Sequence, residues 1–153
     1  MKKPAFLLAL SALAFTLFAQ NGTKDKTPKK VAVPEIAVRW GEGDTTASKS
    51  VSVQDFRKLL GSRLVAADNG WQVKGFDFIY LENRVYEDSA GNPLFVTEYL
   101  KEYCPGDTIS QGIKNLLPER VKARDTAYIS GIRLESTGGK IGNGKPQRFL
   151  IKR

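Results

Sequence analysis

The sequence has 153 residues, with 24 Lys and Arg against 16 Asp and Glu, a net charge of +8 and no histidine. The missing imidazole excludes Ser-His-Asp and Cys-His catalysis and the usual mixed zinc sites. A single cysteine, Cys104, leaves no intrachain disulfide, so the fold must hold by packing.

Lys2 and Lys3 precede an almost wholly apolar run from Ala5 to Ala19, and no acidic residue occurs before Asp25. This is the pattern of a secretory signal: the run is shorter than the ~18 residues of a spanning helix and ends in Leu17-Phe18-Ala19, a small-residue processing site. Residues 1–19 are read as a signal peptide cleaved before Gln20, which makes the mature protein periplasmic or secreted and not membrane-spanning. No cysteine follows the run to accept a lipid. Residues 20–34 read as a basic flexible linker, with Lys24, Lys26, Lys29 and Lys30 opposed only by Asp25. The linker also holds a glycosylation sequon, Asn21-Gly22-Thr23. Residues 35–153 read as one domain, large enough to bury a core. Loss of Lys2 and Lys3 lowers the net charge from +8 to +6. A basic domain outside the cytoplasm meets anionic lipid head groups, acidic polymers or acidic proteins rather than nucleic acid.

In chain order, Glu35 to Trp40 alternates with Ile36, Val38 and Trp40 on one side, the signature of a half-buried strand. Gly41 to Asp44 reads as a turn. Ser52 with Asp55 forms an approximate capping box, so a short helix with Phe56, Leu59 and Leu60 on one face runs to Gly61. Leu64 to Ala67 and Gln72 to Glu82 are strand-like, the second with both faces largely covered, and Asn83 to Glu87 continues it. Ser89 to Pro93 supplies a turn and Leu94 to Tyr99 the returning strand of a hairpin. Cys104 is expected as a partly buried apolar residue at a turn. Thr108 with Gln111 predicts a second helix bearing Ile109, Ile113, Leu116 and Leu117, ended by Pro118. Thr126 to Glu135 alternates Ala127, Ile129, Gly131 and Arg133 against Tyr128, Ser130, Ile132 and Leu134. Gln147 to Lys152 closes the chain with Phe149 and Ile151. Several short strands with two brief helices predict a mainly β fold, a β-sandwich.

Candidate chemistry is sparse. Asp77, Glu82, Glu87 and Asp88 are the carboxylates to weigh for acid-base work, and their strand and turn positions predict solvated side chains. Glu42 and Asp44 offer too few oxygens for calcium. Gly139-Lys140-Ile141-Gly142-Asn143-Gly144-Lys145 matches seven positions of a phosphate-binding P-loop, but Pro146 stands where a Ser or Thr is needed, and strands rather than a strand and a long helix flank it. It reads as a glycine-rich hairpin loop, whose Lys140 and Lys145, with nearby Arg148, form a candidate partner-binding or anion-binding edge. Trp40, Trp71, Phe76, Phe78 and Tyr80 suit core packing better than a sugar-stacking platform. No catalytic residue, metal site or cofactor is expected.

Four stretches resemble the C-terminal periplasmic domain of the GldM family, the gliding-motility and type IX secretion proteins of Bacteroidetes. They are Phe56 to Leu60 leading to Leu64-Val65-Ala66; Trp71 to Phe78; Ile109 to Leu117 followed by Asp125 to Ile132; and Gln147 to Lys152. Together they span roughly two-thirds of the chain. The resemblance implies an immunoglobulin-like β-sandwich that docks onto other envelope components. The anchor and further periplasmic domains of full-length members have no counterpart in this sequence, so it implies the module alone and carries over no binding residues. The expected function is thus a non-enzymatic exported binding module for an envelope or secretion-system protein, with β-augmentation on an edge strand as its mode. The alternative is a cationic binder of anionic envelope glycans or lipid head groups.

Overall fold

A computed structural model describes residues 32–153. The expected signal peptide and most of the basic linker lie outside the described residues. Among those described, no helix is long and apolar enough to cross a membrane.

The described chain is mainly β with two short helices, as its alternating segments predict. Its elements are β1 (Glu35–Ile36), β2 (Val38–Trp40), β3 (Ser48–Ser52), α1 (Val53–Leu60), β4 (Leu64–Ala66), β5 (Trp71–Glu87), β6 (Pro93–Pro105), α2 (Gln111–Arg120), β7 (Thr126–Ser136), β8 (Ile141–Gly144) and β9 (Gln147–Lys152). Seven strands form one mixed sheet in the order β1-β8-β7-β5-β6, with β9 bridging β7 and β3, and β2 pairs with β4 in a second, small sheet. The single N-terminal strand expected from Glu35 to Trp40 is therefore two strands in two sheets, divided at Ala37. Its inward set is as read: Ile36, Val38 and Trp40 are all buried.

The core lies between the inner face of the main sheet, the β2–β4 pair and both helices. Trp40 meets Phe56, Phe78 and Phe149 edge-on, with centroids 5.8, 6.1 and 5.2 Å away, so these aromatics are core and not a sugar platform. Ser52 caps α1 by accepting the Asp55 N–H at 3.0 Å, and Gly61 ends it. Helix α2 departs from its expected frame. Thr108 is held extended by a bridge to Arg63, and Ser110 is the cap instead, accepting the Ile113 N–H at 3.3 Å. Pro118 lies inside α2 rather than ending it. Its absent N–H forfeits one helical bond, but buried Ile113 and Leu117 hold the helix on the core, and the Val121 N–H closes it on the Leu117 carbonyl at 3.0 Å.

Two bulges set which residues face inward. Gly131, at φ +57, interrupts β7, and the β5–β7 register shifts opposite it between Val73 and Asp77. The inward set of β7 therefore changes from Ala127 and Ile129 to Ile132 and Leu134, where uninterrupted alternation kept Gly131 and Arg133 with the first pair. Strand β3, a Ser- and Lys-rich stretch with no apolar alternation, has no sequence signal; it exists because it pairs in parallel with β9.

Candidate docking surface

β5 and β6 form a long antiparallel hairpin with continuous register from Gly75↔Pro105 to Glu87↔Pro93. Its turn is built by Asp88, whose carboxylate accepts the N–H groups of Ala90 (2.9 Å) and Asn92 (2.8 Å), while Gly91 takes φ +80. These bonds, that to Asn92 foremost, hold the Asp88 carboxyl below its usual value. On β5, Phe76, Phe78, Tyr80 and Glu82 are buried, whereas Asp77, Ile79 and Leu81 on the other face are only half-covered. That face is less enclosed than the sequence suggested.

Pairing with β5 dictates the orientation of β6. Cys104, Glu102, Leu100, Glu98 and Val96 lie opposite Phe76, Phe78, Tyr80, Glu82 and Arg84 and share their inner side. Tyr103, Lys101, Tyr99, Thr97 and Phe95 are left on the outer face. The usual distribution is reversed: two glutamates turn inward, while Phe95 is 77% exposed, Tyr99 76% and Tyr103 46%. Val85, opposite Phe95, is 60% exposed and extends the patch. Tyr103 lies over Gly75, where any Cβ would collide with its ring, and the Arg133 guanidinium lies over that ring, 5.6 Å from the centroid. Lys101 pairs with Asp77 at 3.5 Å. On the same face Arg148 sits 5.8 Å from the Tyr128 ring centroid.

Glu82, Glu98 and Asp125 are held by ion pairs or hydrogen bonds. Glu82 is 3% exposed, a correction to the solvated carboxylate expected there. Arg120 donates to it at 2.6 Å, and Arg84 lies 3.0 Å from it and 3.2 Å from Glu98. Burial pushes the Glu82 carboxyl up, but the hydrogen bonds from Arg120 and Arg84 outweigh it and leave the carboxyl below its usual value. Asp125 is fully buried; it accepts the Tyr80 hydroxyl at 2.5 Å and the N–H groups of Asn83 and Lys122 at 3.0 and 2.9 Å. Burial, then Asp125, drives the Tyr80 hydroxyl far above its usual value. Cys104 is fully buried at the end of β6 rather than at a turn, and burial pushes its thiol up. Asp44, weighed as a calcium ligand, instead pairs with Lys49 at 2.9 Å, and that hydrogen bond brings its carboxyl down to about 2.

Of the basic residues singled out from the sequence, Lys140 stands in the turn before β8, Lys145 just after β8, and Arg148 on β9. The strand between them keeps Lys140 and Lys145 on the order of 15 Å apart, so the three do not converge. Part of the expected glycine-rich loop is β8 itself, paired with β7 and in parallel with β1. Its glycines answer to packing. A Cβ at Gly142 would stand 2.7 Å from Trp71 and 2.8 Å from Ile36, and one at Gly144 2.6 Å from Ile132.

The exposed aromatic row was not singled out in the sequence. Apolar residues occur on both faces of β6, and only its partner strand says which face is inner. A weak signal was present, since one alternate set holds three aromatics and the other two glutamates. No known family model matches the chain, and no curated protein sequence matches it.

Proposed function

We propose that this chain is a non-enzymatic, exported binding module that docks on a protein of the cell envelope or its secretion machinery through the outer face of the β5–β6 hairpin. The observation that carries the reading is the reversed orientation of β6, which exposes Phe95, Tyr99 and Tyr103 in one row while turning Glu98 and Glu102 to the inner side. Aromatic rows of this kind, rimmed by Lys101 and Arg133, have the composition of interaction surfaces. The interior carboxylates support a binding role, because Glu82 and Asp125 are committed to arginine and backbone partners. Export rests on the Lys2-Lys3 charge and the apolar run behind it. The immunoglobulin-like, GldM-like assignment belongs to the same reading and rests on the four resembling stretches.

The test is in-cell photo-crosslinking from single positions in the native host. Crosslinker at Phe95 or Val85 is expected to capture one defined envelope protein that survives a high-salt wash, while crosslinker at Lys152 captures none. Capture only of polysaccharide or lipid, released by salt, would overturn the protein-docking reading in favour of the cationic binder.

A further inference from the structure

We infer that β6 is a self-association edge, through which two copies pair antiparallel about a two-fold axis at Tyr99 and join their main sheets into one. The inference does not depend on the docking reading, because it rests on the open backbone edge of the hairpin, although edge pairing also sets the aromatic rows of the two copies side by side.

Among the described residues β6 pairs with β5 alone, so its far side is an open edge. Its protection is partial, since Lys101 and the inward Glu98 and Glu102 are its only charges. The ladder to β5 has no bulge, the prolines stand only at positions 93 and 105, and Lys101 is the one cation along its length. Long edges in unbroken register can pair with a strand that matches them.

A second copy matches. Tyr99 is the middle residue of the thirteen in β6. A two-fold axis there pairs the whole strand and sets Tyr99 against its own copy, Phe95 against Tyr103 and Thr97 against Lys101. On the inner side Glu98 meets Leu100 and Glu102 meets Val96. No like charges stand opposite one another. Moving the axis to Glu98 or Lys101 sets that residue against its own copy, and moving it to Leu100 sets Glu98 against Glu102; each costs like-charge repulsion. Moving it to Thr97 carries Tyr103 past the hairpin turn.

Charge and area agree. Glu102 has no ion-pair partner among the described residues, whereas Arg84 lies next to Val96 on β5, one strand from where Glu102 of a second copy arrives. Lys101 of one copy enters between the rings of Phe95 and Tyr99 of the other, a cation–π setting. The inner side of the arriving strand meets a cleft of about 330 Å³ between β6 and α2, lined by Leu100, Leu117 and Arg120. With two sets of three exposed aromatics, each able to bury on the order of 100 Å², and the paired backbone, the contact reaches the roughly 1,000 Å² of a stable interface.

Sedimentation and disulfide trapping of the secreted full chain test this. Oxidised Tyr99→Cys is expected to link copy to copy. Lys101→Cys alone is expected not to, but to link when mixed with Thr97→Cys, since opposed Cα atoms in an antiparallel pair lie within disulfide reach. Tyr99→Lys and Tyr99→Glu should each weaken association about tenfold or more, and their equimolar mixture should restore it, which also shows that both variants fold. A wild-type chain that stays monomeric into the millimolar range, equal linking by Tyr99→Cys and Lys101→Cys, or folded charge variants that do not recover on mixing would each overturn the proposal. Capture of an envelope protein from Phe95 alongside a monomeric wild type would leave the docking reading standing without this one.

Discussion

The two ends of β5 follow one alternation and serve opposite ends. From Phe76 to Glu82 every second side chain is buried beneath α1, α2 and the β2–β4 pair, whereas beyond Asn83, which is still bonded to Arg124 and Asp125, the strand runs past the core paired with β6, and Val85 and Tyr86 stand exposed. The same residue chemistry thus contributes to stability at one end and stands exposed at the other, where the docking proposal places recognition. What separates them is whether anything packs over the inner face, which is a property of the tertiary arrangement and not of the strand.

Substitutions sharpen that contrast. The largest loss is expected for Trp40→Ala, which removes the ring that joins β2, α1, β5 and β9: about 3–5 kcal/mol by chemical denaturation. Gly144→Ala comes next, at about 1–3 kcal/mol, because its methyl would press on Ile132 and Val38 within a paired strand. It would also show that the glycines of the P-loop-like stretch serve packing, since added phosphate should give no protection.

Glu82→Gln is expected to cost about 1–2 kcal/mol at neutral pH, the arginines being partly exposed and screened. Its pH dependence has a definite sign. The folded carboxyl lies below its ordinary value of 4.5, so the wild type holds the full contribution above that pH and loses it as pH falls through the lower folded value. Denaturation midpoints of wild type and Glu82→Gln should therefore converge as the pH falls below 4.5 and through the lower folded value. The smallest effect belongs to Phe95→Ala, expected within about 0.5 kcal/mol of wild type despite the loss of a whole aromatic ring. A larger loss would mean that the projecting end is core after all.

Much of the fold was legible because its strands alternate and its helices carry their own signals. Ser52 and Gly61 bounded α1, and Gln147 to Lys152 was read at its observed limits. Where the reading failed, the cause was non-local. β3 depends on a partner a hundred residues away, the inward set of β7 turns over at Gly131, and the cap of α2 moved because Thr108 was claimed by Arg63. The candidate site was less legible still. Lys140, Lys145 and Arg148 are close in sequence, but β8 holds the two lysines apart, while Phe95, Tyr99 and Tyr103 form one row only because Tyr80 and Phe78 take the inner side first.

The central claim is that the aromatic row of β6 serves recognition rather than folding, and the double variant Phe95→Ala/Tyr99→Ala tests it most directly. Its unfolding free energy in dilute solution and its in-cell crosslinking from Val85 would be measured side by side. The account predicts stability within about 1 kcal/mol of wild type and loss of the captured envelope partner. A fall of several kcal/mol, or capture that continues undiminished, would contradict it.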